Sequence, residues 1–452
     1  MLDFNSSTYK KVLEIAIKHN VIANCREYPS LFLNRKRINY NIIKERLKKN
    51  LADENFSCGL YVHFPYCKSR CTFCKYYSEL GGDINKFNEY LDALEKEICM
   101  YGIDFKVKEF SNFFLGGGTP TLMDGKTMER YLNIIFKYFR FKENSQITIE
   151  GTPESVSYEK MKQYKRLGIS RISIGLQSSN NSVLRTIGRC HQAQEVFRAF
   201  EVVRRVGIKY IGTEVIWGLP GETKKTYQKT AKDVLKLQPD FIEGYLLTEG
   251  GRTKIKRYYP ADITLDRAIS DFKEKMLSNG YRIYYSSNFL GFIKEGVSNS
   301  KAMNQNTDGL YNYYSDVLGI GAGASSHFRD YKYKTISNIK EYLHNINTGR
   351  PPAIYGMPIS NDDYKRHYII LQIGFYRSIK KKRYQELFGK SLDTDFPEEI
   401  GLLKRKKIVI ETKNEFRWRL GEHELGHKSF FMHVIQYWYD PKYVRHILKN
   451  CL

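Results

Sequence analysis

Tyr61-Val62-His63-Phe64-Pro65-Tyr66-Cys67-Lys68-Ser69-Arg70-Cys71-Thr72-Phe73-Cys74 places three cysteines in one short loop, directly after an apolar, strand-like run. The loop offers three thiolates, not four. A 4Fe-4S cluster takes one cysteine per iron, so three thiolates leave one iron open to another ligand. A zinc site reads differently, as paired C-x2-C units or a Cys/His mixture at matched spacing, and no second pair follows here. His63 is nearby but belongs to the preceding strand pattern. Cys25, Cys58, Cys99, Cys190 and Cys451 are scattered without a disulfide framework. That is the usage expected in a reducing compartment, where buried cysteine acts as a small hydrophobe.

Working outward, strand-like runs at 60–64, 112–115, 147–150, 171–176, 209–216 and 241–247 alternate with helical patterns at 87–100, 126–138, 154–167, 194–206, 223–236 and 265–278. Each helical stretch repeats apolar residues every three to four positions. Strand and helix in alternation predict βα units on a parallel sheet, here an α/β partial (βα)6 barrel over residues 56–330. In such a sheet the functional residues sit at the carboxyl ends of the strands. Residues 1–55 read as a helical, basic extension ending in Ile42-Ile43-Lys44-Glu45-Arg46-Leu47-Lys48-Lys49-Asn50. Residues 331–452 read as a small α+β, winged-helix-like unit, with Ile408-Val409-Ile410-Glu411 and Phe416-Arg417-Trp418-Arg419-Leu420 as a hairpin. Appended to a catalytic barrel, such a unit is expected to cover the substrate.

The 452 residues, 42% apolar, suit a soluble globular chain. No apolar run reaches the roughly 18 residues of a membrane span, and the first residues lack the basic-then-apolar order of a signal peptide. A cytoplasmic protein without a membrane partner is therefore expected. The net charge of +24 comes from 73 Lys and Arg against 49 Asp and Glu spread along the whole chain. Such a spread reads as compositional bias, so specific nucleic-acid binding is not expected.

The strand ends carry a second set of signals. Leu115-Gly116-Gly117-Gly118-Thr119-Pro120 closes the second strand, and consecutive glycines let backbone approach a ligand closely. The third ends in Glu150-Gly151-Thr152-Pro153-Glu154 and the fourth in Gly175-Leu176-Gln177-Ser178. Glu150 and Gln177 would thus point into one mouth, a carboxylate and an amide suited to an amine and ribose hydroxyls. Then follow Gly188-Arg189, Glu214 and Gly218-Leu219-Pro220-Gly221, and late in the barrel Leu318-Gly319-Ile320-Gly321-Ala322-Gly323-Ala324-Ser325-Ser326.

The cysteine spacing resembles the radical S-adenosylmethionine (SAM) enzymes, and the ordered set of motifs resembles their oxygen-independent coproporphyrinogen III oxidase-like family. The resemblance is strong over residues 56 to 330 and continues weakly beyond. It implies that Cys67, Cys71 and Cys74 hold a 4Fe-4S cluster whose open iron binds the amino and carboxylate groups of SAM. It further implies that Gly116, Gly117, Thr119, Glu150, Gln177, Arg189 and Glu214 position SAM, with Arg189 paired to the methionine carboxylate. Phe73 would pack beside the cluster or the adenine, or serve as an ordinary core aromatic. The implied chemistry is reductive cleavage of SAM to a 5'-deoxyadenosyl radical, for methyl or methylene transfer or oxidative decarboxylation of a small organic or porphyrin-like substrate. Methyl-transferring members hold two SAM molecules. A flavodoxin- or ferredoxin-like electron donor is the implied partner.

The family also contains heme chaperones, which bind heme without substrate turnover, and that is the alternative. His423 and His427, four residues apart, fit solvent-facing positions near a helix end better than axial heme ligands. Departures from the family shape the expectation. Tyr76 stands where the true oxidases carry a further cysteine, Lys75-Tyr76 replaces the Asp-Phe of the chaperones, and Glu214 replaces a common Asp. Tyr28-Pro29-Ser30 resembles a segment of the long members. A substrate-modifying enzyme is expected from these features.

Overall fold

The computed structural model describes residues 36–54, 57–247, 253–286, 289–298, 316–376, 378–418 and Trp438. Tyr28-Pro29-Ser30, His423 and His427 lie outside the described residues, as does most of 1–55. The chain divides into two compact units, one formed by Lys36–Ile283 with Phe289–Met357, the other including Pro358 onward.

The large unit is built on strands β1 (Cys58–Phe64), β2 (Phe113–Gly117), β3 (Ile147–Gly151), β4 (Arg171–Gln177), β5 (Tyr210–Trp217) and β6 (Phe241–Leu246). They pair in parallel in that order, with register marks Val62↔Leu115, Leu115↔Ile149, Ile149↔Ile172, Ile172↔Ile211 and Gly212↔Phe241. These are the six expected strands. They are legible because a parallel sheet covered on both faces demands near-continuous apolar runs, and all seven residues of β4 are buried. Beyond β6 the sheet continues antiparallel through β7 (Tyr281–Ser286) and β8 (Phe289–Lys294), β8 lying between β6 and β7.

On the other side β9 (Asp316–Ile320) runs parallel to β1, pairing Leu318 with Leu60. Strands β10 (Ser325–His327), β11 (Tyr331–Thr335), β12 (Ala353–Pro358) and the two-residue strand Lys36–Arg37 complete that flank. Among the described residues the result is one mixed sheet of 13 strands that does not close on itself.

Helices α1 (Tyr40–Ala52), α2 (Ile84–Met100), α3 (Gly125–Tyr138), α4 (Tyr158–Arg166), α5 (Asn181–Thr186), α6 (Ala193–Val206), α7 (Lys224–Leu237), α8 (Leu265–Leu277) and α9 (Ile339–Asn347) belong to this unit. Their starts carry side-chain caps. Asp83 accepts from the Asn85 and Lys86 amides, Asp124 from Thr127, and Thr223 from Thr226. Gly207, at φ +81°, ends α6 in the left-handed conformation that glycine adopts without a Cβ penalty. Short α5, unforeseen in the sequence, has Asn180 as its cap and sits beside the cysteine loop.

The second unit contains α10 (Asn361–Tyr376), α11 (Lys381–Phe388), α12 (Leu392–Asp395) and α13 (Pro397–Arg405). Beside them stands a three-stranded antiparallel sheet of β13 (Ser378–Lys380), β15 (Glu415–Trp418) and β14 (Val409–Glu411), in that spatial order. The expected hairpin is present, and β13 adds a strand to it. Lys365 and Asp395, both largely buried, pair at 2.7 Å and tie α10 to α12. No helix among the described residues is long and apolar enough to cross a membrane.

Candidate functional site

The cysteine loop is pinned at its neck. Tyr66–Cys67 pairs with Glu79–Leu80, the Glu79 amide donates to Pro65 O at 2.8 Å, and the Gly81 amide donates to Cys67 O at 2.9 Å. The glycine run locks this neck onto β2. The Gly118 amide donates to Phe64 O and the Thr119 amide to Tyr66 O, each at 2.7 Å, while Thr119 Oγ1 lies 3.5 Å from Cys67 Sγ. A Cβ on Gly118 would stand 2.4 Å from Tyr66 O, and one on Gly117, at φ +112°, 2.6 Å from the His63 ring. One on Gly116 would meet Glu150 Oε2 at 2.9 Å. These glycines thus allow close contacts within the protein. The Gly117 amide is already given to Glu150 Oε2 at 3.1 Å.

Cys71 is held from the far side. The Thr72 amide donates to Ile187 O at 3.0 Å, the Lys254 amide to Thr72 O at 2.8 Å, and Arg189 Nη1 reaches Cys71 Sγ at 3.6 Å. Phe73 packs on the apolar cluster that contains Val183, Leu184, Ile187 and Leu219, the core-aromatic role among its expected places. Burial pushes the Cys67 thiol up against the opposing Thr119 and Ser78 hydrogen bonds. Burial also lifts Cys74 to about 12; a bond with the Tyr76 backbone opposes that rise, and the nearby Cys71 and Cys67 add to it. Thiolates disfavoured by burial in this way are stabilised when a cationic metal centre binds them. Among the described residues no three His, Cys, Asp or Glu groups converge on a single ion.

The carboxyl ends of β3, β4 and β5 bring Glu150, Gln177 and Glu214 together. Gln177 stands at φ +66°, where the register between β4 and β5 jumps so that Val215 faces Gln177 in place of Leu176. The bulge and the left-handed backbone turn its amide toward Glu214, which accepts from Gln177 Nε2 at 3.3 Å and Ser173 Oγ at 3.0 Å. Burial, then Glu214, raises Glu150 to about 8, with the Gly117 amide opposing. Burial, then Glu243, raises Glu214. Glu243 in turn accepts from Arg171 Nη2 at 3.3 Å and from Tyr245 OH.

Facing these acids, Arg189 donates through Nη2 to Gly175 O at 2.6 Å. Burial weakens its charge, but Cys71, Glu154 and Glu214 more than restore it. Its Nε is buried without a protein acceptor, and so is Gln177 Oε1 without a donor. A cation beside the cysteines, with two proton-hungry carboxyls nearby, matches a zwitterionic amino-acid group: carboxylate toward Arg189, ammonium toward Glu150 and Glu214. The residues present thus fit both a three-thiolate cluster and SAM.

Several neighbours are given no role in the sequence reading. His63 Nε2–H donates to Tyr77 O at 3.1 Å, so its Nδ1 accepts from Tyr61 OH at 2.9 Å, and burial lowers the ring to about 4, leaving it neutral. Glu154 lies 3.6 Å from His191 Nδ1; burial raises its carboxyl, but His191 and Arg189 outweigh that and hold it down at about 2. Glu243 had one legible signal, an acid inside an apolar strand.

Residues 61–234 match the profile of the Radical SAM superfamily. The heme chaperone HemW of Bacillus subtilis is 26% identical over 369 residues, spanning 78% of this chain and 93% of that protein. The oxygen-independent coproporphyrinogen III oxidase of Escherichia coli is 27% identical over 328 residues, spanning 69% and 70%. In three dimensions the chain resembles the coproporphyrinogen III oxidase HemN of Escherichia coli, described as a radical SAM enzyme, with TM-score 0.76 and 20% identity over 92% of this chain and 97% of that one. At that identity the likeness is one of fold. Residues 61–234 thus match a radical SAM domain, the relatives are named heme chaperones and oxygen-independent coproporphyrinogen III oxidases, and the cofactors of that superfamily are a 4Fe-4S cluster and SAM.

Proposed function

We propose that this chain is a radical SAM enzyme in which Cys67, Cys71 and Cys74 hold the cluster and Glu150, Gln177, Arg189 and Glu214 orient SAM for modification of a small organic or porphyrin-like substrate. The observation that carries this reading is Arg189, wedged between Cys71 Sγ and Gly175 O with a buried, unmatched Nε. When bound, the cluster supplies the electron that cleaves the sulfonium bond of SAM. Arg189 would hold the methionine carboxylate, and Glu150 and Glu214 the ammonium. Thr119 would steady Cys67, and the neutral His63 would fix Tyr61 beside Glu150. The modification is methyl or methylene transfer, with a second SAM, or oxidative decarboxylation, and Tyr76 in the place of the oxidases' further cysteine counts against the coproporphyrinogen oxidase reaction.

Anaerobic incubation of reconstituted protein with SAM and dithionite should yield 5'-deoxyadenosine, absent with Cys71→Ala, and S-adenosylhomocysteine should accompany it if a methyl group moves. A second reading, heme binding without turnover, is favoured by the near full-length match to heme chaperones, 93% and 94% of two of them. Tight hemin binding with no SAM cleavage by protein with an intact cluster would establish that reading in place of the first.

A further inference from the structure

We propose that SAM binds with release of a proton from the Glu150–Glu214 pair, a linkage set by the neighbouring acid Glu243; this deepens the SAM reading and rests on it. The three acids follow one another around one interior face of the open barrel. The register puts Glu150 beside Ser173 across β3 and β4, and Glu214 beside Glu243 across β5 and β6. Ser173 closes the gap between them, since its hydroxyl donates to Glu214 at 3.0 Å. None of the three acids is exposed.

The charges around them do not balance. Glu243 is matched by Arg171 of β4 at 3.3 Å, and it also accepts from the neutral Tyr245 of β6. Arg189 is supported first by Cys71 and Glu154, with Glu214 only behind them. The groups facing Glu150 from β1, Tyr61 and His63, are both held neutral by burial. Cys74 in the cysteine loop adds charge of the same sign as Glu150 when it binds a metal as thiolate. Glu150 and Glu214 are thus left without a full cation between them, and two such carboxylates in a low-dielectric enclosure do not both stay ionised. The hydrogen bonds decide which keeps its charge. Glu214 accepts from Ser173 and Gln177, whereas Glu150 accepts from the Gly117 amide. Glu150 therefore holds the proton, its carboxyl pushed up to about 8 by burial and then by Glu214. Glu243 is the first charge, after burial, that lifts Glu214, and it lifts Glu150 as well.

An ammonium entering between Glu150 and Glu214 supplies the missing cation. The Glu150 O–H then breaks, its proton goes to solvent, and the ammonium becomes the carboxylate's partner; no electron moves. A proton lost on binding makes binding tighter at higher pH, by up to about tenfold per pH unit while the free site is protonated and the complex is not. The useful window is about pH 6 to 7.5, because an α-amino group such as that of SAM loses its own proton near about 7.7 to 8.0.

The test titrates SAM calorimetrically into the full chain with its cluster reconstituted, anaerobically and without reductant so that no SAM is cleaved. Titrations at pH 7 in PIPES and in Tris, which differ in ionisation enthalpy, count the protons exchanged. The unaltered protein should release about one proton per SAM and bind it about five- to tenfold more tightly at pH 7 than at pH 6. S-Adenosylhomocysteine, which keeps the ammonium and lacks the sulfonium charge, should release the same proton. Glu243→Gln, which lies outside the SAM contacts, should still bind SAM but release at most about half as much at pH 7. The count on the unaltered protein stands whether or not that variant folds. SAM bound without proton release, release with SAM but not with S-adenosylhomocysteine, or release undiminished in Glu243→Gln would overturn the proposal. A reconstituted chain that binds no SAM at any pH would contradict the SAM reading itself, a distinguishable result.

Discussion

Arg189 is the residue on which the site turns. Its guanidinium is buried, faces a thiol and two acids, and keeps one donor without a protein partner. Arg189→Ala is expected to weaken SAM binding by about 2 to 5 kcal/mol, the range for truncating one side of a desolvated charge pair. Calorimetric titration of the anaerobic protein measures it, and an unchanged dissociation constant would remove Arg189 from the site. Glu154 and His191 stand behind Arg189, so Glu154→Gln should weaken SAM less than Arg189→Ala while leaving cluster content unaltered. Gly117 tests the packing. Its φ of +112° opposes a side chain, as does the His63 ring, which would lie 2.6 Å from an added Cβ. Gly117→Ala should therefore cost about 1 to 3 kcal/mol in denaturant titration. A neutral substitution there would contradict the role given to the glycine run.

At the scale of elements, α2 ties the cysteine-bearing strand to the last parallel strand. Glu97 on α2 accepts the Gly321 amide at 2.8 Å and the Tyr342 hydroxyl at 2.6 Å, while Tyr90 donates to His63 O at 2.7 Å and accepts from the Ala322 amide at 3.0 Å. Burial raises Glu97 from 4.5 to about 7 against these hydrogen bonds. A carboxyl raised on folding contributes stability that is complete below about pH 4.5 and is lost as pH rises through 7. Glu97→Gln, which keeps an acceptor without the charge, should therefore flatten the pH dependence of the melting temperature between about pH 5 and 7. An unchanged slope would mean that another group carries it. Glu97→Ala should cost more, because it strands a buried amide and a hydroxyl at about 1 to 3 kcal/mol each.

These elements also show where sequence reading stops. The six strands and their helices were legible because each is a local pattern, an apolar run or a 3.6-residue stripe. The pairing of β9 with β1 was not, since it joins Asp316–Ile320 to Cys58–Val62 across most of the chain. Nor was the Gln177 backbone. Nothing in Gly175-Leu176-Gln177-Ser178 announces a bulge or a positive φ, which arises from the register with β5. The Arg171–Glu243 pair likewise exists only once β4 and β6 lie on either side of β5.

For the whole molecule, the open sheet gathers the cysteine loop and the ends of β2 to β5 at one rim, and the site follows from that topology. The cysteine spacing and strand-end motifs disclosed the superfamily, because cluster and SAM demand particular residue types at the ends of strands. They did not separate substrate modification from heme trafficking. Heme chaperones match this chain over nearly their whole length, so that distinction falls to chemistry. The most direct measurement is anaerobic reaction of the reconstituted full chain with SAM and a reductant, with 5'-deoxyadenosine quantified by mass spectrometry beside Cys71→Ala. The account predicts deoxyadenosine from the unaltered protein and none above background from the variant. No deoxyadenosine from protein with an intact, reducible cluster would contradict it.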